Sequence, residues 1–276
     1  MAIITFWNES EKENGQTSAA IAIATQMAVE HNYRILLVDA TFDDKAMEKA
    51  FWKFKENKAL MELTGGKIDI SSGAEGLVSA VASNKATPEI ITNYTKIVFK
   101  NRLDVLLGLK TKIPEEHEKS MMLYKDLLIA ANKYYDMVLV DLSKGLRKPS
   151  TKVLLEKSNL ILYTMPPNLV NIDNYKELRM KNPLVANKKV MPLLAKSDET
   201  SGYNVKNTTR YIKEKRIIPA IPYNVRFMEA TNEAKTADFF LRFKVSESAY
   251  NLNGNFIPEV ERSCMLIIEK LRELNL

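Results

Sequence analysis

Gly15-Gln16-Thr17-Ser18 opens an alanine-rich segment, Thr17 to Ala28, that follows an apolar, β-branched run, Ile3 to Trp7. A strand, a polar loop and a helix N-terminus in that order make a seat for phosphate, because the first N–H groups and the positive dipole end of the helix face the anion. Gly15 and Thr17 stand where such a loop places its last glycine and its magnesium-holding hydroxyl. Gln16 stands where the lysine belongs, and Asn8 to Asn14 contains none of the earlier glycines of the pattern. Asp39 ends a second apolar run, Arg34 to Asp39, and Asp141 ends a third, Met137 to Asp141; strand-end carboxylates hold magnesium beside a phosphate in P-loop enzymes. A turn and an N-cap explain Gly15 and Thr17 equally well, and capping is the other reading of the two aspartates. Lys196 and Asp198 follow the run that ends at Leu194 and fit either a pair facing a purine or a solvated loop pair.

These residues need a scaffold. Apolar strands are expected at Ile3–Trp7, Arg34–Asp39, Leu103–Leu107, Met137–Asp141, Leu160–Thr164, Lys189–Leu194 and Ile217–Ile221. Helical periodicity is expected over Thr17–Ala28, Asp43–Lys58, Ala74–Ile97 (with Pro88 as a breaker), Glu115–Tyr135, Ile172–Met180, Val205–Lys215, Arg226–Ala237 and Pro258–Leu274. Strands without polar alternation, each followed by a helix, predict an α/β fold: a mostly parallel central sheet covered by helices on both faces. No repeat or linker divides the chain, so a single domain over residues 1–276 is expected. Ligands of such sheets sit at the carboxyl ends of the strands, which is where the loop and both aspartates fall.

The arrangement resembles the ParA/MinD family of deviant-Walker-A P-loop ATPases. In that family the loop reads Lys-Gly-Gly-x-Gly-Lys-Thr-Thr, the second strand ends in Asp-x-Asp, and a later strand ends in the Walker-B aspartate. Tyr134 to Asp141 resembles the approach to Walker B, Leu160 to Pro166 the next strand, and Ile221-Pro222-Tyr223-Asn224 with Phe227, Glu229-Ala230 and Glu233-Ala234 the late strand and helix beside the adenine. The resemblance implies a degenerate loop at residues 8–18 and a C-terminal helix at about 257–275. It implies nucleotide-binding positions at Asn14, Gly15, Gln16, Thr17, Ser18, Asp39, Asp141, Lys196 and Pro222. Thr17, Asp39 and Asp141 are the implied magnesium positions, with ATP or ADP as cofactor, or none.

Three chemical positions of the family pattern are substituted, and two of its glycines. The signature lysine falls at Glu11, the Walker lysine at Gln16 and the second aspartate of the switch strand at Thr41; Lys12 and Glu13 replace two glycines. Phosphoryl transfer depends on positioned positive charge and an oriented nucleophile. Unit charges about 4 Å apart interact by about 4 kcal/mol at an effective dielectric of about 20, so a loop of reversed sign opposes the reaction. Hydrolysis is therefore not expected, and the substitutions are closest in character to the TadZ/CpaE branch, whose members localise Tad (Flp) pilus machinery. That branch implies a positioning or assembly factor with protein partners in a secretion or pilus system; a homodimer, where one forms, is expected on a surface other than the loop face, such as the last helix. The alternatives are a DNA- or plasmid-partition ATPase and a weak nucleotide-binding regulator. The tyrosine-kinase branch of the same fold carries a tyrosine-rich tail, whereas only Tyr250 follows Ala249 here.

Composition bounds the rest. Of 276 residues 46% are hydrophobic and 27% charged, which suits a globular chain and excludes a disordered one. A lone cysteine, Cys264, excludes an internal disulfide, and two histidines, His31 and His117, leave little for a zinc site. No apolar run approaches the roughly 20 residues that span a bilayer, and Met1 to Trp7 lacks the features of a signal peptide. A cytoplasmic location, or a peripheral one at the inner membrane face, is expected. Net charge is +6, yet residues 144–244 hold 20 Lys and Arg against 9 Asp and Glu. That half suits DNA, an anionic membrane, an acidic protein or simply solvated helix faces. The glutamates of the last helix favour core docking over membrane contact.

Overall fold

An apolar segment without polar alternation must be covered on both faces, and four such segments form the middle of one sheet. The computed structural model describes residues 1–9, 14–53, 73–83, 87, 89–245 and 255–276. Its strands are β1 (Ala2–Trp7), β2 (Ile35–Ala40), β3 (Lys96–Phe99), β4 (Leu103–Leu106), β5 (Met137–Leu142), β6 (Leu160–Met165), β7 (Val190–Ser197) and β8 (Ala220–Pro222). They lie in the order β3-β4-β2-β5-β1-β6-β7-β8, and every described pairing is parallel except β3 with β4. Every residue of β1, β2, β5 and β6 is buried.

Alternate side chains enter two cores. Ile4, Phe6, Ile35, Leu37 and Leu139 pack on one face under α1 (Gln16–Glu30), with α2 (Ala46–Phe51) at its edge. Ile3, Trp7, Leu36, Val38 and Val138 pack on the other under α3 (Gly73–Ala82), α4 (Pro114–Ala131), α5 (Pro149–Lys157), α6 (Leu169–Lys181) and, at its margin, α7 (Val205–Tyr211). The first face is completed by α8 (Val225–Asn232), α9 (Thr236–Val245) and α10 (Phe256–Glu273). Ala19, Ala20, Ala22, Ala24 and Ala28 are buried along α1, and their small size lets that helix lie close to the sheet and to α10 at once.

The last helix docks into the core as expected. Phe256, Ile257, Val260, Cys264, Ile267, Ile268 and Leu271 are buried at helical spacing, each such side chain contributing about 1.5–3 kcal/mol on burial. Ser263 Oγ accepts from Ala220 N and donates to Ala220 O, both at 2.8 Å, which ties α10 over the short edge strand β8.

The helix expected over Ala74–Ile97 is a correction. Helix α3 ends at Ala82, a 3₁₀ turn covers Ile90–Tyr94, and Lys96-Ile97-Val98-Phe99 is strand β3. Its β-branched residues favour an edge strand, and Asn101, in the left-handed region at φ 61°, turns it back into β4. Pro88 lies outside the described residues, as do 54–58 of the expected second helix, whose described part is α2. The helix expected over Arg226–Ala237 is divided at Ala234, φ 58°, into α8 and α9. The one expected to run to Lys215 ends at Tyr211, and Lys213 turns left-handed at φ 58°. The last short strand lies at Ala220–Pro222 rather than Ile217–Ile221. Helix α5 was not expected, although Pro149 at its first turn is a start signal.

Candidate functional site

The order of the strands gathers the site. Leaving β1, the chain moves to β2 on one side, returns through β5 as the neighbour of β1, and continues on the other side through β6, β7 and β8. The crevice at that reversal lies above the end of β1, beside the start of α1. The buried Asn8 begins the loop from β1 to α1: its Nδ2 donates to Thr164 O at the end of β6, and its carbonyl accepts from Gly145 N at 3.0 Å.

Gly15 is the N-cap of α1, in the left-handed region at φ 77°. A Cβ there would lie 2.9 Å from Ala195 Cβ and 3.2 Å from Lys196 Cγ, so the loop rests directly on the end of β7. Only glycine satisfies both the backbone and the packing. Asn14 is buried; its Oδ1 accepts from Gln16 N at 3.0 Å, while its Nδ2 has no hydrogen-bond partner. Asn14 thereby occupies one free N–H of the helix start and leaves a buried donor of its own beside it.

Gln16 turns inward. Its Nε2 donates to Asp141 Oδ1 at 2.6 Å and to Leu142 O at 2.8 Å. Asp39 and Asp141 are partners in the β2–β5 register, so the two buried carboxyls stand side by side at adjacent strand ends. Burial pushes Asp39 up to about 7; the neighbouring Asp141 pushes the same way, and hydrogen bonds from Thr41 oppose the rise. Burial pushes Asp141 up to about 6, against hydrogen bonds from Thr17 and Gln16 and the attraction of Lys144. Thr41 donates from its N at 3.0 Å and its Oγ1 at 2.6 Å to Asp39 Oδ1, so Asp39 also braces its own turn, as the capping reading holds.

Paired buried carboxyls need a proton or a cation. Asp141 Oδ2 is buried without a hydrogen-bond partner, an acceptor that suits a magnesium ion. Asp39, Asp141 and the Thr17 hydroxyl, which bonds to the Asp141 carboxyl, are the residues that would hold a magnesium ion taking its remaining ligands from phosphate and water.

Most of the residues singled out in the sequence meet here: Asn14, Gly15, Gln16, Thr17, Asp39, Thr41, Asp141 and Lys196. Ser18 lines a cavity of about 490 Å³ with Thr17, Asp44, Lys45, Met228 and Thr231. Pro222 lies apart, at the end of β8, in a cavity of about 610 Å³ with Ser197, Asp198, Tyr223, Phe256 and Arg262. Lys196 Cγ lies 3.2 Å from the point a Cβ on Gly15 would occupy, and Asp198 Oδ1 accepts from Thr200 N and Oγ1. Glu11, Lys12 and Glu13 lie outside the described residues.

Two contributors escaped the sequence. A Cβ on Gly108 would come within 3.0 Å of Asp39 Oδ2, so its bare backbone closes that carboxyl in. Buried His117 donates from Nε2 to Thr41 O at 3.0 Å and meets Phe42 edge to face, fixing the turn after β2. Burial lowers its pKa, against the hydrogen bond to Thr41. Neither carries a motif; only the folded neighbourhood reveals them.

No protein-family model matches the chain, and no curated protein matches it. Solved structures do. A ParA-family ATPase from Chlorobium tepidum superposes with a TM-score of 0.66 at 14% identity, over 96% of this chain and 97% of that one. The septum site-determining protein MinD from Pyrococcus horikoshii, complexed with Mg-ADP, gives 0.65 at 14% over 98% of each. A plasmid partition protein from Borrelia burgdorferi bound to AMPPNP gives 0.63 at 16%, over 98% and 99%. With its single eight-stranded, mostly parallel sheet and its loop at the end of β1, this chain has the fold of the ParA/MinD P-loop ATPases.

Proposed function

We propose that this chain is a ParA/MinD-like positioning or assembly factor that holds a nucleotide without turning it over. The observation behind this reading is the inward amide of Gln16, bonded to Asp141 at 2.6 Å and to Leu142 at 2.8 Å. An uncharged carboxamide at the lysine position cannot neutralise charge that develops between the phosphates, and here it is already engaged with the magnesium aspartate. Thr41, at the position of the switch aspartate, braces Asp39 and lacks a carboxylate to orient a water.

On this reading Asn14 to Ser18, Asp39 and Asp141 hold ATP or ADP, with magnesium at Thr17, Asp39 and Asp141. Lys196 is a further nucleotide position of this reading, and Pro222, in the separate cavity at the end of β8, is proposed to flank the base rather than the phosphates. The protein works through partners of a secretion, pilus or partition system, in the cytoplasm or at the inner face of the membrane. The pilus role rests on the altered loop and its resemblance to the TadZ/CpaE branch. A partition function is the second reading. Its support is the excess of cationic residues between 144 and 244, which suits non-specific DNA binding of steep salt dependence.

Steady-state phosphate release with ATP and magnesium tests the proposal. Turnover should equal that of a protein-free blank. A rate that disappears on Thr17→Ala or Asp141→Ala would show an active ATPase and end this reading. Gln16→Lys should release Asp141 and strengthen nucleotide binding.

A further inference from the structure

We propose that Lys196, from the far side of the crevice, supplies the phosphate-binding ammonium that position 16 lacks. This rests on the reading that the loop seats a nucleotide. Three observations converge on it.

The first is a break in the ladder. Along β7 and β8 the pairs are Leu194 with Ala220, Ala195 with Ile221 and Ser197 with Pro222, so Lys196 is an extra residue in a bulge. It is also left-handed, at φ 54°, which costs a non-glycine residue about 1–2 kcal/mol. Bulges of this kind re-aim a side chain out of the strand alternation, and strain of this size persists at functional positions.

The second is where the side chain goes. Lys196 Cγ and Cε lie 3.2 Å and 3.5 Å from the point a Cβ on Gly15 would occupy. The aliphatic stem therefore runs along the glycine that caps the 15-residue α1, within a side chain's length of the first turn of that helix.

The third points to a ligand. Asn14 Nδ2 is a buried donor without a hydrogen-bond partner, on a side chain whose Oδ1 is already fixed to the first turn of α1. An unfilled buried donor, a helix N-terminus and an ammonium stem at one point suit a phosphate group. A P-loop lysine reaches phosphate from within the loop; here the cation comes from β7, leaving position 16 for the amide that holds Asp141.

Calorimetry with ATP, ADP and inorganic pyrophosphate, each with magnesium, tests the assignment and separates a nucleotide from a bare polyphosphate. Lys196→Gly is the informative variant, because glycine accepts the left-handed backbone and keeps the fold. It should weaken ATP and ADP binding about tenfold or more, as expected for a lost charge-assisted contact, with the melting temperature maintained. Lys196→Arg should retain most of the affinity. In the Gln16→Lys background, Lys196→Gly should weaken binding much less, since the two cations serve one phosphate. Unchanged affinity in Lys196→Gly, or no binding of any of the three ligands to the natural protein, would overturn the assignment. Unchanged affinity in Lys196→Gly would leave the proposed function standing, whereas no binding to the natural protein would also end the reading that the chain holds a nucleotide; measured turnover alone decides the non-hydrolysing part.

Discussion

At the scale of single residues, the pair Asp39 and Asp141 sets the balance between stability and function. Both carboxyls hold their protons more tightly in the folded chain than in the unfolded one, Asp39 to about 7 and Asp141 to about 6. Between the unfolded pKa near 4 and those values the folded state binds more protons, so its stability falls as pH rises through that interval. In magnesium-free buffer the protein should melt higher at pH 5.5 than at pH 8, provided the remaining carboxylates stay ionised. Asp39→Asn keeps an oxygen for Thr41 and removes the buried charge. It should raise the melting temperature at pH 8 and flatten the dependence on pH. A variant melting lower than the natural protein at pH 8 would show that Asp39 is already neutralised there by a neighbour. Magnesium with nucleotide should give the natural protein a similar gain, because a cation replaces the proton between the two carboxyls.

At the scale of elements, the loop, β7 and α1 act as one packed unit, and two glycines test it. Gly15 at φ 77° and Gly145 at φ 82° are both left-handed, but a Cβ on Gly145 meets nothing within 4 Å. Alanine at Gly145 should cost about 1–2 kcal/mol for the backbone alone. Alanine at Gly15 adds a collision with Ala195 and Lys196 and should cost about 1–3 kcal/mol more, with loss of nucleotide binding. Equal costs in denaturant unfolding would mean that the loop swings clear of β7. This unit also shows where the sequence was legible. β1, β2, β5, β6 and most of β7 are readable because strands buried on both faces need unbroken apolar runs. β3 was hidden because its four residues follow a helical stretch and pair only with their own hairpin neighbour. The loop residues were legible by position from the order of strand and helix. Their contacts were not: Gln16 meets Asp141 across 125 residues, and Lys196 reaches Gly15 through a bulge that no local pattern announces.

At the scale of the whole molecule, the question is what surface a second copy would meet. The resemblance to ParA/MinD proteins implies a dimer in which two loops oppose each other, each signature lysine reaching the partner's nucleotide. In this chain that lysine position is Glu11, and Glu13 follows two residues later. Two facing loops would bring four carboxylates together, with Lys12 of each chain the only cation among residues 10–13, and like charges so opposed cost free energy. ATP adds further negative charge to the same space, and Lys196 offsets only part of it if its amine is held by the phosphate of its own chain. The protein should therefore sediment as the same species with and without ATP and magnesium. Screening by salt relieves repulsion between exposed charges, so any loop-to-loop dimer should grow from about 50 mM to about 300 mM salt. A dimer through the basic residues 144–244 and an acidic surface elsewhere should instead dissociate over that range. Sedimentation velocity at both salt concentrations separates the cases. A tight dimer that forms only with ATP, and is lost on Gly15→Val, would mean that the nucleotide switch of the fold survives the substitutions, and with it a cycling protein in place of a fixed scaffold.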